Sequence, residues 1–218
     1  MGGIGSTLIC ILLCLIAGYA FGNISTAYFV GKLYGNDIRK EGSGNLGSTN
    51  ALRTLGIKAG AMTFIGDVSK ALIPILVIRF WIFSGQEEYG ILMAMWYGLG
   101  TVLGHNFPCW LHFKGGKGIA VTAAVVLGIA HWPLIVVGLL LFVVIVALTR
   151  YVSLGSLIVS FYLIANTLLW HREGPYFIHM LCVSLLFTVL AFFQHRSNIV
   201  RLLNGTEHKL GEKKDRRK

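Results

Sequence analysis

Charge is scarce in this chain of 218 residues: Asp, Glu, Lys and Arg together make up only 13%, about half the share in a soluble domain. Hydrophobic residues reach 55%, more apolar surface than a soluble core of this size can hide, which excludes an ordinary cytosolic enzyme. The four cysteines, Cys10, Cys14, Cys109 and Cys182, have neither metal-site spacing nor the pattern of a secreted disulfide framework, and read as small hydrophobes. No charged side chain precedes Lys32, so the apolar start lacks the basic n-region of a cleavable signal peptide and is expected to stay as a membrane span. Gly2 with Ser6 matches a myristoylation pattern, but the orientation argued below puts that end outside the cell.

What is abundant is apolar run. Segments near Thr7–Val30, Ala59–Phe83, Tyr89–Trp110, Ile119–Ala130, Pro133–Thr149, Tyr151–Trp170 and Tyr176–Phe193 read as seven spans. At about 20 residues per span they leave no room for a separate soluble domain. The expected architecture is therefore an all-α integral membrane protein. Residues 1–194 form the polytopic unit, and 195–218 a motif and basic tail of the same domain. Of the 19 basic residues, 16 fall on one side of such a chain, among them Lys32, Arg39, Lys40, Arg53, Lys114, Lys117, Arg150 and the eight after His195. The excess of Lys and Arg marks the cytoplasmic side, so the N-terminus is expected outside and the C-terminus inside. The basic tail suits anionic lipid headgroups, and no folded basic domain offers nucleic acid a groove. Gly18 and Gly22 have small-xxx-small spacing, read as tight packing within one monomer.

Three polar segments fall on the cytoplasmic side. The first, Arg39-Lys40-Glu41-Gly42-Ser43-Gly44-Asn45-Leu46-Gly47-Ser48-Thr49-Asn50-Ala51-Leu52-Arg53, interleaves glycines with hydroxyl and amide side chains before a helix. Its free backbone N–H groups suit a phosphate; alone, it reads equally as a solvated turn. The second holds Gly104-His105-Asn106-Phe107-Pro108 and then Lys114-Gly115-Gly116-Lys117-Gly118, N–H donors plus a lysine at a helix start. It lacks the spacer and hydroxyl residue of a Walker A loop, so a nucleotide site is not expected. The third runs from Gln194-His195-Arg196-Ser197-Asn198 to Glu207-His208. His195 and Asn198 share a helix face there and suit a phosphate or hydroxyl, with an interfacial amphipathic helix as the alternative. His105, His112 and His195 lack ligand spacing, so no metal site is expected. Asp67 and Lys70, at i and i+3 inside a span, must pair or face a polar cavity. Ser153 and Ser156 either line the same pocket or bond to their own helix.

Together the segments EGSGNLGSTNALRTLG, GHNFPCWLHFKGGKGIA and HRSNIVRLLNGTEHK closely resemble the three cytoplasmic motifs of the bacterial membrane acyl-phosphate:glycerol-3-phosphate acyltransferases, in order and spacing. The likeness runs from the Tyr28 region to His208. It departs mildly at Gly22 to Tyr28, where a Ser and a Pro would be expected, and at Val121 in place of Thr. The resemblance implies transfer of a fatty acyl group from acyl phosphate to the sn-1 hydroxyl of glycerol 3-phosphate, without a cofactor, by a monomer in the bacterial cytoplasmic membrane. It assigns phosphate binding to Ser43, Asn45 and Arg53 in the first motif, helped by Gly42, Gly44, Thr49 and Asn50. Gly115, Gly116, Lys117 and Gly118, with His105, would make a second cradle. His195 and Asn198 would place the acceptor beside Arg196, Glu207 would brace the last loop, and Ser153 or Ser156 would contact phosphate. A small transporter of an organic phosphate is the alternative, although the polar motifs cluster at one face instead of the midplane.

Overall fold

The computed structural model describes residues 4–211. Gly2 and most of the basic tail lie outside the described residues. In chain order the α-helices are α1 (Ile4–Gly22), α2 (Thr26–Leu33), α3 (Ser48–Leu55), α4 (Ile57–Val77), α5 (Glu87–Asn106), α6 (Ile119–Ile129), α7 (Trp132–Thr149), α8 (Val152–Val159), α9 (Tyr162–Trp170), α10 (Phe177–Gln194) and α11 (Arg196–Leu203). Every segment expected to span is helical, and five stretches are long and apolar enough to cross a membrane: Gly5–Leu33, Ile57–Ile82, Trp132–Thr149, Val152–Trp170 and Phe177–Gln194. The other two differ for separate reasons. At 11 residues α6 is too short to cross alone, and α5 opens on Glu87-Glu88 and runs through the centre of the bundle, buried along most of its length.

α5 packs against α1, α4, α6 and α10, and their contacts form the main core around Leu92, Met93, Met95, Val121, Val125, Leu163, Met180 and Phe187. α7 has only Gly138 buried, so its apolar surface faces outward as expected for lipid. A smaller cluster of Ala27, Ile38, Leu46, Ala51 and Leu111 ties the first two motif segments together below the site.

The α1–α5 contact explains four glycines. A methyl on Gly18 would lie 2.1 Å from the Tyr97 carbonyl oxygen, on Gly22 2.3 Å from that of Thr101, on Gly100 2.3 Å from that of Leu15 and on Gly104 2.2 Å from that of Tyr19. Backbone touches backbone on both helices, and the pairs advance together, so α1 and α5 run parallel. Gly18 and Gly22 thus pack inside the chain, as their spacing suggested. Because the obstructing atoms are backbone, nothing flexible can yield. Gly100→Ala is expected to cost about 3 kcal/mol, the upper end of overpacking, read as earlier unfolding when SDS is titrated into the detergent-solubilised protein.

The first expected span does not run unbroken to Val30. It stops at Gly22 and resumes at Thr26, because the α1 carbonyls find other donors. Asn23 Nδ2 donates to the Tyr19 carbonyl at 2.7 Å, while Asn23 Oδ1 accepts from the Cys109 N–H at 2.8 Å. Lys70 Nζ donates to the Ile24 carbonyl at 2.8 Å. Satisfied this way, the helix end can lie inside the bundle.

Candidate functional site

The three motif segments meet at one end of the bundle. In the first, Gly42 and Gly44 take left-handed backbone angles (φ 58° and 71°), a conformation open to glycine at little steric cost, and these turns expose Ser43. Asn50 is buried below and spends its whole amide on the loop. Its Oδ1 accepts the Ser43 N–H at 2.9 Å, and its Nδ2 donates to the Glu41 carbonyl at 3.1 Å and that of Ile38 at 3.4 Å. Expected at the substrate, Asn50 is instead committed to the shape of the loop. Asn45 and Thr49 are half-buried beside it, and Arg53 is exposed near the C-terminal end of α3.

The second segment folds back on the end of α5. Gly115 N–H donates to the Asn106 carbonyl at 3.1 Å and Gly116 N–H to that of His105 at 3.0 Å. No side chain fits there: a methyl on Gly115 would sit 2.0 Å from the His105 carbonyl oxygen, and one on Gly116 2.1 Å from His105 Nε2. Gly118, at φ 77°, caps the start of α6. This tight return projects Lys117 toward the third segment.

There Glu207 is the hub. Its Oε1 accepts from Asn198 Nδ2 at 2.6 Å and from the Ser153 hydroxyl at 2.9 Å, and its Oε2 accepts from Arg201 Nε at 2.7 Å. Burial pushes this carboxyl up, but the three donors outweigh it and hold the pKa below the ordinary value. Asn198, with its amide nitrogen thus engaged, turns Oδ1 to Lys117 Nζ at 2.5 Å. Desolvation lowers the Lys117 pKa to about 8, and Glu207 opposes the fall while the Arg201 and Arg53 charges add to it. Three cations from three segments therefore converge on a place where Glu207 supplies the negative charge. The residual positive field suits a phosphate dianion.

His195, 2% exposed, caps α10 with Nδ1 at 2.7 Å from the Ala191 carbonyl. A carbonyl only accepts, so the ring proton is on Nδ1 and Nε2 keeps its lone pair. Burial and then the Lys117 charge depress the His195 pKa to about 4, leaving a neutral imidazole at physiological pH.

Two expected site residues lie elsewhere. Ser156 donates to the Val152 carbonyl of its own helix at 2.9 Å, and only Ser153 reaches the hub. Arg196 is exposed, donates to the Phe193 carbonyl at 2.9 Å and stacks on the Phe193 ring, anchoring α11 at the bundle edge. His105 lies beneath the second segment, its ring between Gly116 and Lys70. Arg201 is not among the expected site residues, although its spacing of three from Asn198 puts it near the stripe of His195 and Asn198; its bond to Glu207 gives it a place there.

The chain can be set beside known proteins. The family model described as glycerol-3-phosphate acyltransferase matches residues 12–205. A glycerol-3-phosphate acyltransferase of Clostridioides difficile (strain 630) is 42% identical over 210 residues, covering 94% of this chain and 97% of the relative. One from Alkaliphilus metalliredigens (strain QYMF) is 44% identical over 203 residues, covering 93% and 97%. Among solved structures, the glycerol 3-phosphate form of PlsY, an integral membrane glycerol 3-phosphate acyltransferase, is similar with a TM-score of 0.77 and 33% identity over 94% of this chain and 96% of that one. Its lysophosphatidic acid form gives 0.76 and 34%, over 92% and 95%.

Proposed function

This chain belongs to the glycerol-3-phosphate acyltransferase family, and from that premise we propose that it moves a fatty acyl group from an acyl phosphate to the sn-1 hydroxyl of glycerol 3-phosphate. The products are 1-acylglycerol 3-phosphate and inorganic phosphate. The observation that carries this reading is the chain of contacts from Lys117 through Asn198 and Glu207 to Arg201, beside a neutral His195 and within the field of Arg53. Both substrates bring a phosphate to these cations, and the acceptor brings a hydroxyl for which His195 Nε2 is a ready hydrogen-bond acceptor.

In the proposed step the hydroxyl oxygen attacks the acyl carbonyl carbon, the bond from that carbon to the phosphate oxygen breaks, and the hydroxyl proton ends on the departing phosphate. An acyl phosphate is already an activated anhydride, so the protein's task is orientation and charge stabilisation. The Lys117 ammonium and the backbone N–H groups of Lys117 and Gly118 hold phosphate, Ser43 and Arg53 close the site from the first segment, and His195 with Asn198 orients the acceptor. Glu207 and Ser153 keep Asn198 turned to Lys117. Ser43 has no pairing of a His with a carboxylate beside it in the sequence or in its described hydrogen bonds, so no covalent acyl-enzyme is invoked.

The donor assignment is tested with detergent-purified protein, labelled glycerol 3-phosphate and either palmitoyl phosphate or palmitoyl-CoA. Acylated product is expected from the phosphate and little or none from the thioester, because the short glycine turns are sized for single phosphates and offer no groove for a nucleotide. Equal yield from the CoA ester would overturn the assignment. Labelled glycerol 3-phosphate that accumulates unchanged inside proteoliposomes would favour the transporter instead.

The proposed orientation, with the motif segments on the cytoplasmic side of seven crossings, has its own check. In a variant without the native cysteines, single cysteines at exposed Glu87 and Glu173 are expected to react with an impermeant thiol reagent on intact cells, and one at Lys40 is expected to be silent. The reverse pattern would invert the topology.

A further inference from the structure

Below the site lies a polar cluster that the reaction just described does not use. Asp67 is 1% exposed, Lys70 8% and His105 6%, where α4 and α5 meet the end of α1. Lys70 Nζ donates to Asp67 Oδ1 at 2.8 Å, to the Ile24 carbonyl at 2.8 Å and more weakly to the Gly22 carbonyl at 3.4 Å, and lies 3.0 Å from His105 Nδ1. A plain structural ion pair inside a membrane protein requires only two partners. This one includes a third side chain, and that side chain is the floor of the second motif turn.

The contact favours one proton position. His105 Nδ1 lies 3.0 Å from the Lys70 ammonium and 3.5 Å from Asp67 Oδ1, and because the nearer group has donors and no lone pair, Nδ1 is the acceptor and the ring N–H is on Nε2. His105 Nε2 is the atom 2.1 Å from where a methyl on Gly116 would lie, and the Leu46 carbonyl oxygen of the first segment is 2.6 Å from the same point. His105 also accepts the Gly116 N–H on its own carbonyl. One residue thus bonds the turn through its backbone carbonyl and packs its ring edge against Gly116, at the seam between the first two segments.

We propose that Asp67 and Lys70 are positioning residues that act through His105: they hold its ring in the Nε2–H form, and the ring so held supports the Gly115–Gly118 turn in its register for phosphate. The proposal rests on reading that turn as a phosphate cradle and adds to it a reason for two buried charges. His195, with its proton on Nδ1, is the opposite case. The two histidines of the site are held in opposite tautomers, one by a carbonyl and one by a lysine.

The test reads the tautomer directly. Protein labelled with ring-15N histidine is compared with its His105→Gln variant to assign the His105 signals by NMR. The expected result is a protonated Nε2 and an unprotonated Nδ1 at neutral pH. The double variant Asp67→Asn/Lys70→Met removes both charges at once, so neither is left buried alone. Its His105 is expected to show mixed tautomers, and its KM for a phosphate-bearing substrate is expected to rise about 10- to 100-fold, as when an orienting shell is lost, with a smaller change in kcat. If the double variant does not fold, His105→Gln, which keeps an N–H near the Nε2 position, is expected to retain far more activity than His105→Asn, which does not. A proton on Nδ1 in the unsubstituted protein, an unchanged tautomer in the folded double variant, or Asn rescuing better than Gln would each overturn the proposal. The NMR measurement needs no turnover. An Nε2–H His105 in a protein that acylates nothing would therefore fault the proposed reaction and leave this inference standing.

Discussion

Lys117→Met is expected to cut acyl transfer about 10²- to 10³-fold, the loss typical of removing one preorganised donor to developing charge. Methionine keeps much of the length and apolar stem, so the Gly115–Gly118 turn has no reason to move, and what disappears is a cation with its bond to Asn198. The pH profile supplies a second reading of the same residue. Lys117 must be protonated to meet a phosphate, and its pKa is lowered to about 8 by desolvation first. In the unsubstituted enzyme kcat/KM should therefore hold below about 8 and fall as pH rises through it. A bound phosphate favours the ammonium, so the corresponding limb in kcat should lie at higher pH, since kcat reports the enzyme–substrate complex. Lys117→Arg should retain some activity and lose this alkaline limb, because a guanidinium does not titrate there. Steady-state kinetics from pH 6 to 10 on the three proteins would check both points. A Lys117→Met enzyme near the unsubstituted rate would remove the lysine from the site.

Glu207→Ala is expected to abolish activity by a different route. The carboxylate takes hydrogen bonds from Asn198, Ser153 and Arg201 at once, and hydrogen bonds to a charged group contribute about 1.5–3 kcal/mol each net of the exchange with water. Removing it leaves a buried amide and hydroxyl unpaired and frees Arg201, a loss of about 3 kcal/mol or more. Asn198 would then be free to rotate away from Lys117. The expected signature is a lower melting temperature in detergent together with lost turnover, where Lys117→Met loses turnover alone. Glu207→Gln should fall between, since an amide can accept from one side of the hub but presents N–H groups to the other. Full stability in Glu207→Ala would show that the third segment is held by something else.

Much of this molecule was legible before any coordinates. Apolar length announces a membrane helix because hydrocarbon leaves the backbone no other partner than itself, and each expected segment is helical. The three phosphate-suited segments were visible as local composition, since glycine turns and hydroxyl runs have few uses. Where the reading slipped, the deciding contact was distant in sequence. The break after Gly22 depends on Lys70 and Cys109, and nothing in Gly22-Asn23-Ile24-Ser25 alone announces it. Ser153 and Ser156 are indistinguishable on one short helix until Glu207, 54 residues from Ser153, selects the first. Asn50 looks like a ligand for substrate until its whole amide is found bonded to the loop around it.

By itself, then, the sequence determined that the chain is helical and apolar, which of its segments are suited to phosphate, and that the first helix packs through glycines. These are properties of neighbouring residues, set by periodicity, side-chain volume and backbone freedom. Only the tertiary structure decided that Lys117, Arg53 and Arg201 share one field, that His195 meets the Ala191 carbonyl while His105 meets Lys70, and that the buried Asp67–Lys70 pair lies under the second turn. Electrostatic coupling and hydrogen bonding act through a few ångströms of space, and Lys117 and Asn198, which meet here, are 81 positions apart along the chain.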